Sequence, residues 1–322
     1  MARYILRRLL WTTFVIVAVS FMTFLIYFVM PPNDYAWESF THGGLTSGAS
    51  TLTRHVLGLD RPFWIQYGVF AKRLFTGDRY GWPGFWMSFQ TRGALKPIIL
   101  GRAAVTAQLA LGAALIWLSF GIPIGILSAL RPRSFGDRVA MGFALVGIST
   151  PVFFVGVAVL YVFWSRLHVV AGTGYVAIRH GFGPWFAHMI VPWTVLALLF
   201  AAFYARMTRA SLIETMNEDY VRTARAKGVS ERRVVLKHGL RSSILPLVTM
   251  FGMDMGQLFG GAVVTERVFN LPGLGALAVE SVRHADLYAI IDITLVLAFA
   301  VATLNLVVDV VYAFLDPRIR HG

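Results

Sequence analysis

The stretch Asp219-Tyr220-Val221-Arg222-Thr223-Ala224-Arg225-Ala226-Lys227-Gly228-Val229-Ser230-Glu231-Arg232-Arg233-Val234-Val235-Leu236-Lys237-His238-Gly239-Leu240-Arg241 lies between two apolar runs and reads as a pair of short helices around a break. Tyr220 to Lys227 holds neither Gly nor Pro, Gly228 is free to take the positive φ that stops a helix, and Ser230 is a residue type that caps the next one. In that second helix Val234 and Val235 stand among Arg232, Arg233 and Lys237. An exposed amphipathic helix of this kind needs something to cover its apolar side.

Working outward, the flanking runs are two of six that are apolar enough to cross about 30 Å of hydrocarbon: Leu9 to Met30, Val105 to Leu130, Val139 to Trp164, Ile190 to Tyr204, Ile244 to Val264 and Ala289 to Leu315. With 57% hydrophobic residues in 322, the chain carries more oily surface than a water-soluble core hides. The first run follows Arg3, Arg7 and Arg8 and is too long for the apolar part of a signal peptide, so it reads as a retained membrane helix. The expectation is an all-α integral membrane protein with six transmembrane helices. No Cys is present, which excludes disulfides, thiolate metal sites and a cysteine nucleophile. The formal charge of +13 comes without a nucleic-acid-binding module and is better explained by basic loops that fix topology, so no nucleic-acid partner is expected.

Those loops set the orientation. Arg131, Arg133 and Arg138 between the second and third runs, Arg206 to Arg241 between the fourth and fifth, and Arg318 and Arg320 in the tail all fall on the side of Arg3, Arg7 and Arg8. By the positive-inside rule both termini and the long basic loop are cytoplasmic. The segment from Pro31 to Lys96 is basic too, but long enough to translocate regardless of charge; within it Trp64, Tyr67, Ala71 and Leu74 recur at helical spacing beside Lys72 and Arg73, the pattern of a helix lying at the interface with membrane lipid, a docking site for an external partner being the alternative.

The stretch from Asp219 resembles the cytoplasmic EAA-type loop of ABC importer permeases, whose pattern is Glu-Ala-Ala, three residues, Gly and a later Leu-Pro. Counting back from Gly228, Arg222, Thr223 and Ala224 occupy the first three places, so only Ala224 and Gly228 match the general form, and the interval to Pro246 is longer than in sugar-type permeases. Both departures, with His238-Gly239-Leu240-Arg241, resemble the subgroup that moves oligopeptides, dipeptides or nickel chelates. So do Arg3 to Leu10, Leu57 to Pro62 with Gln66-Tyr67 and Gly77-Asp78, Gly260 to Glu266, Pro272 to Gly275 and Asp309 to Arg318, which together extend the resemblance over almost the whole chain.

The resemblance implies a type I ABC importer permease fold in the bacterial inner membrane. It divides the chain into an N-terminal helix (1–30), an external loop (31–97), the five-helix transmembrane domain (98–316, with the coupling loop at 206–245) and a tail (317–322). It implies as partners a second, homologous permease, two ATPase subunits or one fused pair, and an extracytoplasmic substrate-binding protein. ATP and Mg would be handled by the ATPases; this chain would be no enzyme and would bind no cofactor. The coupling helix would span about Ser230 to Lys237, with Ala224, Gly228, Val229, Ser230, Glu231, Arg232, Arg233, Val234, Lys237 and His238 as the residues that meet the ATPase. Peptide is the implied cargo, nickel chelates and other small solutes the alternatives.

Absent motifs agree with a non-catalytic subunit: there is no Gly-x-x-x-x-Gly-Lys-Ser/Thr to cradle phosphates, no His-Glu-x-x-His and no Gly-x-Ser-x-Gly. A stand-alone channel or secondary carrier leaves the glycine-hinged basic loop without a purpose, and no internal repeat of the kind found in carriers is evident. A membrane-anchored assembly factor would use the same loop only to hold a partner. Charges inside spans are costly, so each needs a reading. Asp309 near the end of the last run is expected to pair with an Arg or to serve helix packing, and Asp292 to reach water at a span end. Asp254 lies between Gly252 and Gly256, spaced so that their face packs on a neighbouring helix, and would point the other way; with Gln257 it is the candidate for the transport pathway, an ion pair being the plainer alternative. His168, His188 and His284 lack metal-ligand spacing and read as surface residues. Pro123, Pro151 and Pro192 lie in or beside spans, where they read equally as kinks that help two conformations interconvert and as ordinary irregular packing.

Overall fold

The computed structural model describes residues 2–26, 61–77, 81–86, 88, 93–284 and 286–315. Its secondary-structure elements are all helices: α1 (Ala2–Phe24), α2 (Phe63–Thr76), α3 (Leu95–Leu130), α4 (Phe135–Ser149), α5 (Val152–Val159, continuing as a π-helical turn over Leu160–Arg166) and α6 (Phe182–Met216). Then come α7 (Asp219–Ala226), α8 (Glu231–Arg233, running on through a π-helical Val234–Gly239 into Leu240–Ser243), α9 (Leu245–Gly261), α10 (Val263–Val268), α11 (Leu274–Arg283) and α12 (Leu287–Leu315).

Among the described residues, four helices are long and apolar enough to cross a membrane, and the count becomes five if α4 and α5 with its π-helical end are one bent span. The runs expected at Val105 and Ile190 form helices of 36 and 35 residues, longer than their apolar stretches, the first extended at its N-terminal end to Leu95 and the second at both ends, to Phe182 and Met216. The run expected over Val139 to Trp164 is not one straight helix. Pro151 excludes the α conformation at Thr150, which is extended at φ −97°, ψ 127°, and the two halves meet at 102°. Pro151 is therefore a break, while Pro123 and Pro192 sit inside continuous helices. The fifth run forms a 17-residue helix, roughly 26 Å at 1.5 Å per residue, that starts at Leu245 with Pro246 in its first turn and ends at a turn on Ala262. Of the first run, residues 27–30 lie outside the described residues, as do most of the expected external loop and the tail.

The helices assemble in two groups. α3 lies along α6, which also receives α4, while α12 receives both α9 and α1. Small residues set the α3–α6 distance: a Cβ on Gly121 would stand 2.8 Å from the Ala201 carbonyl, one on Gly125 2.6 Å from Thr208 Cβ, and one on Gly112 inside the Trp193 ring. Between helices in lipid, such close approach, with its dispersion contacts, supplies the stability that the hydrophobic effect supplies in water. One core joins Leu109, Trp117, Met189, Tyr204, Met255 and Phe269; another joins Phe24, Phe70, Leu95, Ile99, Leu274 and Ile291. Outward sides such as those of Leu115 and Phe143 stay apolar and exposed, as suits lipid.

α2 forms where its spacing predicts, and it packs on α1 through Tyr67, whose hydroxyl is 3.0 Å from that of Ser20 and whose ring meets Phe21 and Phe24 edge-on or tilted. Trp64 is on the exposed side, 63% accessible, and Phe70 takes the buried place. Asp309 pairs with Arg8 at 3.0 Å, joining α12 to α1. Asp292 does not reach water: it is 1% exposed and accepts the Trp86 amide at 2.8 Å. His168 and His284 are exposed, and His188 is half-buried with its Nδ1 2.8 Å from the Pro184 carbonyl.

Candidate functional site

α7 and α8 fold back on the end of α6. The chain leaves α6 at Asn217, and α7 ends in a Schellman motif: the Val229 amide donates to the Ala224 carbonyl at 3.3 Å and the Gly228 amide to the Arg225 carbonyl at 2.9 Å. That motif requires a left-handed residue, and Gly228 supplies it at φ 77° with open space around it. Ser230 then opens α8 in extended backbone, its carbonyl accepting from Arg233 and Val234, but its hydroxyl makes no capping hydrogen bond. The expected side-chain cap is thus absent; the next residue, Glu231, is held by Arg225, with Arg225 Nη2 to Glu231 Oε1 at 2.7 Å and Nε to Oε2 at 3.1 Å. This two-pronged pair bridges the glycine hinge. The guanidinium holds the Glu231 carboxyl below its ordinary range.

The pair of helices has two unlike sides. Inward, Val221, Ala224 and Val234 are buried with Met216 and Val229 beside them. Gly239 lies so close to α6 that a Cβ there would meet Met216 Sδ at 2.8 Å. Tyr220 clamps the two helices, its hydroxyl donating to the His238 carbonyl at 3.2 Å or meeting Ser242 Oγ at 3.1 Å. Outward, Arg222, Lys227, Arg232, Arg233 and Lys237 are exposed around Leu236, itself 53% accessible.

Of the residues expected to meet a partner, Gly228, Ser230, Glu231, Arg232, Arg233 and Lys237 are on the accessible side, and Val229 and His238 are half-buried. Ala224 and Val234 are not accessible: at 7% and 0% they belong to the small core that holds α7 against α8. The expected helix Ser230 to Lys237 is part of a longer one that widens into a π-helical turn over Val234–Gly239. Sequence reasoning passed over Tyr220, Arg225 and Leu236. The six-residue spacing of Arg225 and Glu231 across a glycine is the signal that would have found the pair.

The second candidate, Asp254 on α9, points as expected. Gly252 and Gly256 face α12, where added Cβ atoms would stand 2.7 Å and 3.3 Å from Val308 and Val301 side chains. Asp254 turns to α6 and accepts from the Tyr204 hydroxyl at 2.8 Å, so its partner is a neutral donor and not the cation of an ion pair. Tyr204 itself belongs to an aromatic group with Trp117, Phe200 and Phe251. Gln257, one turn on, is exposed. Among the described residues no group of three or more side chains could hold a metal ion.

The described residues thus form a helical membrane body that carries, between α6 and α9, an exposed basic helical pair. The sequence model described as "binding-protein-dependent transport system inner membrane component" matches residues 121–321, and its companion for the N-terminal part of such components matches 1–110. The probable peptide ABC transporter permease protein y4tP of Sinorhizobium fredii is 35% identical over 324 residues, covering 100% of both chains. The glutathione transport system permease protein GsiC of Escherichia coli K12 is 36% identical over 324 residues, again covering both completely. In structure, the inward-facing methionine ABC transporter MetNI superposes with a TM-score of 0.54 at 16% identity, over 69% of this chain and 98% of that one, which shows a shared fold. The chain thus belongs to the family of inner-membrane components of binding-protein-dependent transport systems. It is a multi-pass, non-catalytic permease subunit of a bacterial ABC importer, in which partner ATPases handle ATP and a binding protein presents the solute.

Proposed function

We propose that this permease forms one half of the pathway of a peptide importer and that α7 and α8 couple it to the ATPases. The observation that carries the coupling role is the two-sidedness of the segment: one side is anchored on α6 through Val221, Ala224 and Val234, while Arg232, Arg233, Leu236 and Lys237 stand free for a groove on a partner. Closure of two ATPase subunits, or one fused pair, pushes on α8, and its attachment to α6 passes the displacement to the spans. Energy enters as the ATPases' differential affinity for the two transporter states, so this chain contributes geometry and no chemistry. The segment, both termini and the basic loops lie on the cytoplasmic side, and α9, though 17 residues long, completes six spans.

Peptide as cargo rests on the peptide and glutathione permeases that are similar from end to end. The pathway lies along the side of α9 bearing Asp254 and Gln257, completed by a second permease, a sister chain. Polar groups within a span face such an interior and not lipid. The test is ATP-driven uptake by vesicles holding the assembled importer and its binding protein. A labelled dipeptide and glutathione are compared with a nickel chelate. Uptake of either peptide and not of the chelate is expected; uptake of the chelate alone contradicts the cargo.

A further inference from the structure

At the end of α3 and α6 remote from α7 and α8, where Trp185 Nε1 donates to Gln108 Oε1, a polar cavity of about 400 Å³ opens between α3, α10, α11 and the loop before α6. That volume lies within the range of roughly 300 to 1,000 Å³ that small-molecule sites occupy. Its chemistry comes from Arg102, Tyr175, Glu266, Arg267, Asn270 and Glu280. Two of these are already committed. The buried Glu266 accepts from Thr106 Oγ1 at 2.7 Å and from the Ala276 amide at 2.8 Å, and Tyr175 donates to Gln108 Oε1 at 3.1 Å.

The guanidinium of Arg102 is different. It is 30% exposed, and its nearest carboxylate, Glu280, stands 3.9 Å away, too far for a hydrogen bond. Arg267 spends one nitrogen on the Ala276 carbonyl at 3.2 Å and keeps the others. A half-buried guanidinium with free donors, a second one across the cavity and a carboxylate beside them form a set that takes a carboxylate at one end and an ammonium at the other. The cavity is also joined to the side of the molecule assigned to the pathway. Thr249, Met253 and Gln257 are exposed along α9, and Val264 and Arg267 along α10, where Arg267 lines the cavity.

We infer that this cavity is an entry subsite for a short zwitterionic peptide, in which Arg102 and Arg267 hold the C-terminal carboxylate and Glu280 the terminal ammonium. The inference rests on the peptide reading of the cargo and deepens it by naming which chemical group the permease recognises.

The experiment measures uptake of labelled Ala-Ala and of its C-terminal amide by the complete importer in vesicles, for the wild type, Arg102→Gln, Arg102→Lys and Arg267→Gln. The binding protein contributes the same factor to every variant, so a change in the ratio of free acid to amide reports the permease. The expected result is a loss of about 10-fold in free-acid uptake for Arg102→Gln with amide uptake nearly unchanged, the scale of one charged hydrogen-bonding contact. A smaller loss is expected for Arg267→Gln, and partial retention for Arg102→Lys. Recovery of the intact complex and its basal ATPase rate serve as controls for folding. An unchanged ratio, or equal loss for both peptides as a binding-protein docking role would give, overturns the cavity assignment while leaving peptide transport standing. If wild-type vesicles take up neither peptide, the peptide reading falls and the subsite with it.

Discussion

The α7–α8 segment and the network around Glu266 use charge in opposite ways. In the first, cations are displayed: Arg222, Arg232, Arg233 and Lys237 face outward, and Glu231 is tied to Arg225 in an exposed pair. In the second, a carboxylate is consumed: Glu266, 0% exposed, joins α10 to Thr106 on α3 and to the start of α11, while Thr106 Oγ1 in turn accepts the Leu274 amide at 2.8 Å. The difference separates a surface left open to its surroundings from a scaffold whose polar groups are already paired. Desolvated polar groups are costly to unpair, whereas exposed ion pairs contribute little, so the two regions respond very unequally to substitution.

The largest effect is expected at the scaffold. Glu266→Ala strands the Thr106 hydroxyl and the Ala276 amide and should cost about 3 kcal/mol or more, read as a lower melting temperature of the detergent-solubilised complex. Gly273→Ala tests the same point from the other side, since its Cβ would run into the Glu266 carboxylate. Next comes the hinge: Gly228→Ala meets no neighbour but must hold φ 77°, a strain of roughly 1–2 kcal/mol, visible as faster hydrogen exchange confined to α7 and α8. Leu236→Asn, on the displayed side, should leave stability within about 0.5 kcal/mol of the wild type while lowering ATP-driven uptake. A large fall in melting temperature there would mean that the side is covered within this chain.

The smallest effect is that of pH on the hinge pair. Because Arg225 lowers the Glu231 pKa in the folded state, the pair's contribution is complete above the ordinary Glu value of about 4.3 and fades as pH falls through the lower folded value. Hydrogen exchange over α7 and α8 should therefore be insensitive between pH 7 and pH 5 once corrected for intrinsic rates. It should rise only on further acidification, and Arg225→Met should abolish that rise.

What the sequence disclosed follows the same division. The hinge was legible because its determinants are local: a glycine between two charged helical stretches, read within a few turns. The membrane runs were legible from composition, though not their geometry. Pro151 was visible, yet one apolar stretch on each side of it hid a 102° break, since lipid-facing composition is the same for a straight helix and a bent one. The buried carboxylates were not legible at all. Glu266 finds Thr106 from 160 residues away and Asp292 finds the Trp86 amide from 206, distances over which periodicity carries no information. Asp137, which lies between Arg133 and Arg138 and drew no reading of its own, is 5% exposed and takes both prongs of Arg209, at 2.6 and 2.8 Å, from α6. Ala224 and Val234 misled for a related reason: they belong to the segment with the right pattern but face its core.

The most direct measurement of the central claim is recovery of partner proteins on the tagged permease from its native membrane in gentle detergent, comparing the wild type with Arg232→Glu/Leu236→Asn. The displayed side of α8 carries the ATPase contact if the wild type brings down an ATPase and a second permease, and the double variant keeps the permease and its melting temperature but loses the ATPase. Equal recovery of the ATPase by both would place that contact elsewhere and leave α7 and α8 as a topological anchor.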